Sequence, residues 1–273
     1  MSELVSSAAN PLVRRVRRLA DRRTRRREAA CFVEGIAPVW QAVDAGVEVE
    51  ALLISPHLLA GSPAAELVAR QEDAGVRVVR LTRELFTRLS DRDGPSGLAA
   101  IVRVPPARQL DDVEVQGSDF FVAAHELANP GNLGTIARTA EGLGAAGLIL
   151  VGDGADPWAP QAVKASMGSL FHLLVADADA LDDVFAWAAA RGVTTVTTSA
   201  HARLPLAEAD LARPLVLLLG GERTGLPTEA LVRGDLEVRV PMLGRATSFN
   251  VAVAAGMLMY EVCRQASARG GSA

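Results

Sequence analysis

Three stretches of this chain join glycines to polar side chains able to aim hydrogen bonds at a ligand. Asn129-Pro130-Gly131-Asn132 leads into an apolar run that carries Arg138 six residues after Asn132. Gly220-Gly221-Glu222-Arg223-Thr224-Gly225-Leu226-Pro227 sets one carboxylate between glycines. Pro241 to Asn250 holds Gly244, Ser248 and Asn250 ahead of a long Ala/Val/Met run. Glycine permits close backbone approach, and Ser or Asn before an apolar run marks a helix start. A helix start presents free N–H groups to an anion or a carbonyl. An arginine supplies fixed positive charge, and a carboxylate accepts several hydrogen bonds. Such a set suits orientation and stabilisation of negative charge. Taken singly, each stretch also reads as an ordinary turn, a solvated arginine or a capped core helix.

The elements that must position these stretches alternate between strand and helix. In the second half, strands are expected at 120–123, 147–151, 193–198, 215–219 and 236–240. Helices are expected at 133–143, 181–191, after Pro227 and after Asn250, with 160–170 mostly helical. The run Leu215 to Leu219 is apolar throughout and reads as a strand buried on both faces. This pattern predicts a mostly parallel sheet covered by helices, with ligands gathering beyond the carboxyl ends of its strands. Each of the three stretches follows a strand. The first half is a smaller α/β pattern, with strands at 49–54, 76–81 and 98–104, helices at 63–74 and 83–90, and a short strand or turn at 32–35. The expected division is 1–105, a linker at 106–117 containing Pro105-Pro106 at its border, and 118–273.

Charge is distributed unevenly. The chain has 273 residues and net charge −4, yet residues 14–27 carry nine arginines against Asp21, leaving −12 elsewhere. Asn10-Pro11 is a helix-start signal, and Leu12, Val16 and Leu19 recur at helical spacing, so 11–28 is expected to form one basic helix. Arg14, Arg15, Arg17, Arg18, Arg22, Arg23, Arg25 and Arg26 are its candidate nucleic-acid phosphate contacts. Lys164 is the only lysine. Two cysteines, Cys31 and Cys263, without metal-ligand spacing, argue against a zinc ribbon or a disulfide scaffold and fit a cytoplasmic protein. No apolar run is long enough to span a bilayer.

N-P-G-N-L-G-T-I-A-R-T-A (129–140), L-L-L-G-G-E-R-T-G-L (217–226) and V-P-M-L-G-R-A-T-S-F-N-V-A-V-A-A (240–255) resemble the three motifs of the SpoU (TrmH-like) family of SPOUT methyltransferases. The resemblance covers 119 to about 266. S-x-x-N-P-x-V near the start and F-V-E-G after the arginines are similar, more loosely, to the RNA-binding domain that many members carry, itself like small ribosomal proteins. The resemblance implies an RNA ribose 2′-O-methyltransferase using S-adenosyl-L-methionine. It implies a deep trefoil knot and a homodimer through the C-terminal domain. By motif position, Asn132, Arg138, Glu222, Ser248 and Asn250 are the implied catalytic-site residues. Gly220, Val240 and Phe249 would hold the cofactor by backbone, with Thr198, Met242 and Leu243 nearby. Phe249 stands where leucine is commoner. No metal is implied. Large-subunit (23S) ribosomal RNA is favoured over tRNA because a separate N-terminal half is present and little follows the last helix. A non-catalytic RNA-binding protein on the same scaffold is a second reading. A nicotinamide-dinucleotide enzyme is disfavoured, because Gly152-Asp153-Gly154 lacks the third glycine and no helix opens directly after it.

Overall fold

The computed structural model describes residues 4–91 and 93–270; the outermost residues of the expected domain limits, 1–3 and 271–273, lie outside them. In chain order the elements are α1 (Pro11–Arg18), α2 (Arg22–Glu28), β1 (Ala30–Glu34), α3 (Ile36–Asp44), β2 (Val49–Ile54), α4 (Pro56–Leu59), α5 (Ala64–Asp73), β3 (Arg77–Arg80), α6 (Arg83–Leu89) and β4 (Leu98–Arg103). Then come β5 (Arg108–Gln109), β6 (Phe120–His125), α7 (Pro130–Gly142), β7 (Gly147–Val151), α8 (Pro160–Ser166), β8 (Val175–Ala178), α9 (Leu181–Arg191) and β9 (Thr194–Thr198). The chain closes with β10 (Leu204–Pro205), β11 (Leu215–Leu219), α10 (Thr228–Arg233), β12 (Leu236–Arg239) and α11 (Val251–Ala268). Two compact units result. One holds residues 1–106 with 156–172, the other 107–155 with 173–273.

In the first unit the sheet order is β1-β4-β2-β3, with β4 antiparallel to both β1 and β2, and β3 parallel to β2. Side chains alternate between its faces, as strand geometry requires. Cys31, Val33, Leu52, Ile54, Leu98 and Ala100 meet α3 and α5 on one face. Ala30, Phe32, Leu53, Ala99 and Ile101 meet α1 and α6 on the other. Burial pushes the Cys31 thiol up to about 12, with the Asp156 carboxylate adding to it.

Two expectations change here. The single helix over 11–28 is two helices. Leu19 is buried with no exposed surface, and the Asp21 carboxylate accepts from the Thr24 N–H at 2.8 Å, starting α2 afresh. Segment 156–172, expected in the second half, instead completes the first unit's core through Val163 and Phe171, with Trp158 stacked on Phe171. Helical periodicity marks such a segment as amphipathic but does not say which sheet it covers.

The second unit is an eight-stranded sheet of order β10-β12-β9-β11-β6-β7-β8-β5, parallel at every pairing. Every residue of β11 is buried, as a central parallel strand demands. All carboxyl ends therefore open onto one edge. The expected linker does not run free: Arg108 and Gln109 pair with β8, and Leu110 and Val113 are buried in the core. β5, β8 and β10 escaped the sequence reading because they are only two to four residues long. No helix among the described residues is long and apolar enough to cross a membrane.

Candidate active site

The strands β11 and β6 are direct neighbours, in register from Leu215 opposite Phe120 to Leu219 opposite Ala124. Their following loops must therefore meet. The loop after β11 is a tight reversal: Gly225, at φ +66°, donates its N–H to the Gly221 carbonyl at 2.9 Å. A Cβ on Gly220 would stand 2.1 Å from the Gly225 carbonyl carbon, so no other residue fits there. A Cβ on Gly221 would stand 3.0 Å from the Glu126 carbonyl oxygen, a close approach of the two loops. Glu126 itself takes φ +48°, in the left-handed region that non-glycine residues seldom adopt.

This packing delivers Glu222 to the start of α7. Its carboxylate accepts from the Ala128 N–H at 3.1 Å, the Asn129 N–H at 3.3 Å and the Asn132 Nδ2 at 2.9 Å. Burial opposes ionisation of Glu222, but the hydrogen bonds from the Asn132 side chain and from backbone N–H groups outweigh it, and its carboxyl sits below the usual range. Asn132 reaches onward: its Oδ1 accepts from Asn250 Nδ2 at 3.1 Å. Asn250 caps α11, accepting from the Ala252 N–H at 2.9 Å. A continuous chain, Glu222 to Asn132 to Asn250, thus ties the loops after β11, β6 and β12 together.

The other expected residues fall around it. Thr198 ends β9, and its hydroxyl donates to the Leu218 carbonyl of neighbouring β11 at 2.9 Å. Gly220 and Val240 directly follow β11 and β12. Leu243 is fully exposed and Phe249 partly so, while Met242 is half-buried. Arg138 lies on α7, exposed, without a hydrogen bond or ion pair among the described residues. Ser248 is exposed two residues before the cap and is not joined to the Glu222 chain. One placement differs from expectation. Helix α7 begins at Pro130, three residues early, so Asn132 is in its first turn rather than its preceding loop. Asn129 is the cap, accepting from the Gly131 N–H at 2.7 Å and the Asn132 N–H at 3.2 Å. The signal was present: Asn129-Pro130 repeats the Asn10-Pro11 pattern that starts α1.

Of the basic candidates, Arg14, Arg17, Arg18, Arg23 and Arg26 are exposed and Arg22 is half-buried. Arg25 is withdrawn from that surface. It is 4% exposed, donating to the carbonyls of Leu19 and Ala20 and, through Nε and Nη2, to Asp156 at 2.9 and 2.6 Å. Arg15 is ion-paired with Glu28 and Glu50 at 2.7 and 2.5 Å. Adjacent acids, which a count of basic residues along the chain overlooks, hold these two in the fold.

A parallel α/β sheet with three hydrogen-bonded polar loops at its carboxyl edge marks a ligand-binding domain. The SpoU rRNA methylase family matches residues 119–260, and an MRM3-like substrate binding domain matches 10–100. A 23S rRNA (uridine(2479)-2′-O)-methyltransferase of Streptomyces viridochromogenes is 32% identical over 90% of this chain and 87% of its own. An AdoMet-bound rRNA methyltransferase of Sinorhizobium meliloti superposes with TM-score 0.86 at 33% identity, covering 96% of this chain and 98% of that one. The SpoU methyltransferase AviRb of S. viridochromogenes, in complex with AdoMet, gives TM-score 0.84 at 30% identity, over 95% and 100%. This chain belongs to the SpoU rRNA methylase family. It is a methyltransferase, and the α/β class expected for it, with an N-terminal substrate-binding domain, is the one observed.

Proposed function

We propose that this protein methylates a ribose 2′-hydroxyl in structured RNA, with S-adenosyl-L-methionine as donor and large-subunit (23S) ribosomal RNA as substrate. The carrying observation is the Glu222–Asn132–Asn250 chain, which draws the three motif loops to one point at the sheet's carboxyl edge. The loop after β12 suits the cofactor. Among the described residues, the backbone N–H groups of 242–249 donate to no other backbone group, and Leu243 and Phe249 expose apolar surface beside them. Free backbone donors and apolar side chains fit a ligand with a carboxylate, a ribose and a purine. Gly220, Val240 and Phe249 would hold it by backbone, with Thr198, Met242 and Leu243 around it.

When bound, S-adenosyl-L-methionine supplies a methyl group already activated on a sulfonium. The protein's own task is alignment and charge stabilisation. A guanidinium is a fixed positive charge with no acceptor, so the role for Arg138 is stabilising the negative charge that develops on the ribose oxygen. Asn132 is held by Glu222 and Asn250 at a fixed orientation, and Ser248 extends the polar edge toward the substrate. Glu222 orients its neighbours by accepting their hydrogen bonds. The exposed arginines of α1 and α2 supply phosphate contacts.

The same reading includes the trefoil knot, a homodimer and a cytoplasmic location. β11 is inserted between β9 and β6 while α11 returns against α7, which supports a threaded chain. Val253 and Tyr260 stand half or more exposed on one side of α11, which supports burial against a second copy. The test is methyl transfer from labelled S-adenosyl-L-methionine to deproteinised bacterial ribosomal RNA, followed by mapping of 2′-O-methyl sites. A cofactor-dependent rise in melting temperature and one new methylated ribose are expected. Neither a melting shift nor label in the RNA would end the proposal.

A further inference from the structure

The arginines of the second unit divide by place. Arg191 donates to the Val113 and Asp111 carbonyls and Arg213 to the Ser118 carbonyl. Arg233 pairs with Asp182, Arg264 with Glu261 and Arg269 with Asp210. None of these five lies within 129–140, 220–227 or 241–250. Arg138 on α7, Arg223 in the loop after β11 and Arg245 in the loop after β12 do. All three are exposed, and among the described residues none makes a hydrogen bond or an ion pair. Arg108 and Arg203 are exposed as well, but they lie in or beside the edge strands β5 and β10, and Arg239 is half-buried.

The neighbouring acid does not neutralise these guanidiniums. Glu222 is the one carboxylate within 129–140, 220–227 and 241–250, and its hydrogen bonds come from Ala128, Asn129 and Asn132. Arg223 is the next residue along from Glu222. The three stretches thus carry net +2 in a chain of net −4. Arg191, Arg213, Arg233, Arg264 and Arg269 close hydrogen bonds or ion pairs within the fold. Arg138, Arg223 and Arg245 are left open to solvent, where the proposed RNA would lie. A guanidinium grips a phosphate through two parallel N–H donors, which fixes orientation as well as charge.

We propose that Arg223 and Arg245 grip RNA phosphates next to the target ribose and set which nucleotide reaches Arg138. This rests on the reading of the site as an RNA 2′-O-methyltransferase. The experiment uses the full chain and deproteinised bacterial 23S ribosomal RNA, comparing wild type, R223Q/R245Q and R223K/R245K. Two phosphate contacts on a single strand carry a log–log salt slope of about −1.4, so R223Q/R245Q should bind about tenfold more weakly at 0.15 M salt with a slope shallower by about 1.4. Its S-adenosyl-L-methionine melting shift should persist, the loss should fall mainly on KM, and the lysine pair should recover most of the slope. Wild-type RNA affinity and slope in R223Q/R245Q would overturn the grip while leaving the methyltransferase reading intact. Absence of both cofactor shift and methyl transfer in wild type would instead remove the reading, and the grip with it.

Discussion

In the proposed mechanism the chemistry turns on Arg138. It is exposed on α7, without a hydrogen bond or ion pair among the described residues. Arg138→Ala should leave the cofactor melting shift in place and lower methyl transfer at least about 100-fold, the scale of losing one such electrostatic group. Single-turnover transfer to ribosomal RNA checks this, and wild-type turnover would remove Arg138 from the mechanism. Glu222 has a pH signature. Its folded carboxyl lies below the ordinary 4.5, so its stabilising effect is present above that value and is lost as pH falls through the lower, folded one. Glu222→Gln cannot titrate. Its melting temperature should trail wild type above pH 5, and the gap should narrow as the medium is acidified below 4.5. A gap independent of pH would show that ionised Glu222 does not hold the loops.

At the scale of elements, the loop after β11 is set by sterics and the start of α2 by the Asp21 cap. Gly220→Ala places a methyl 2.1 Å from backbone carbon, which cannot shift without opening the Gly221–Gly225 reversal. Gly244→Ala meets nothing within 4 Å. The first should lose thermal stability and with it the cofactor melting shift, while the second should keep the wild-type melting temperature in the absence of cofactor, as thermal melts will read. Within the basic run, Arg25 and its neighbours should separate cleanly. Arg25→Ala strands Asp156 among buried groups and should cost about 3–5 kcal/mol of stability, the usual penalty for halving a buried ion pair. Arg17→Ala with Arg18→Ala should leave denaturant midpoints almost unmoved while weakening RNA binding and flattening its salt slope. Equal stability losses in both variants would place the whole run in one structural role.

For the molecule as a whole, the proposal requires two copies. On that proposal, the exposed Val253 and Tyr260 on α11 would face the second copy. Tyr260→Glu should shift the species seen in sedimentation from dimer to monomer, because a charge in a buried apolar contact is costly. A wild-type monomer at micromolar concentration would refute that part of the proposal. The charge asymmetry also acts at this scale. A chain of net −4 approaches a polyanion productively only through its basic faces, so orientation on RNA is set before any specific contact forms.

Much was legible along the chain because the rules involved are local. Alternating strand and helix, the fully apolar β11, the caps at Asn10 and Asn250, and the three motif stretches all follow from short-range patterns of residue type. Family resemblance then suggested catalytic-site roles for Asn132, Arg138, Glu222, Ser248 and Asn250. What tertiary structure decided was partnership. Only the sheet order makes β6 and β11 neighbours and brings Glu222 to Asn132 and Asn132 to Asn250, residues about a hundred positions apart. Only packing shows that 156–172 completes the first unit and that Arg15 and Arg25 are held by acids while Arg223 and Arg245 are not. Residue type is a property of one position, whereas burial and pairing belong to positions that meet only when the chain closes on itself.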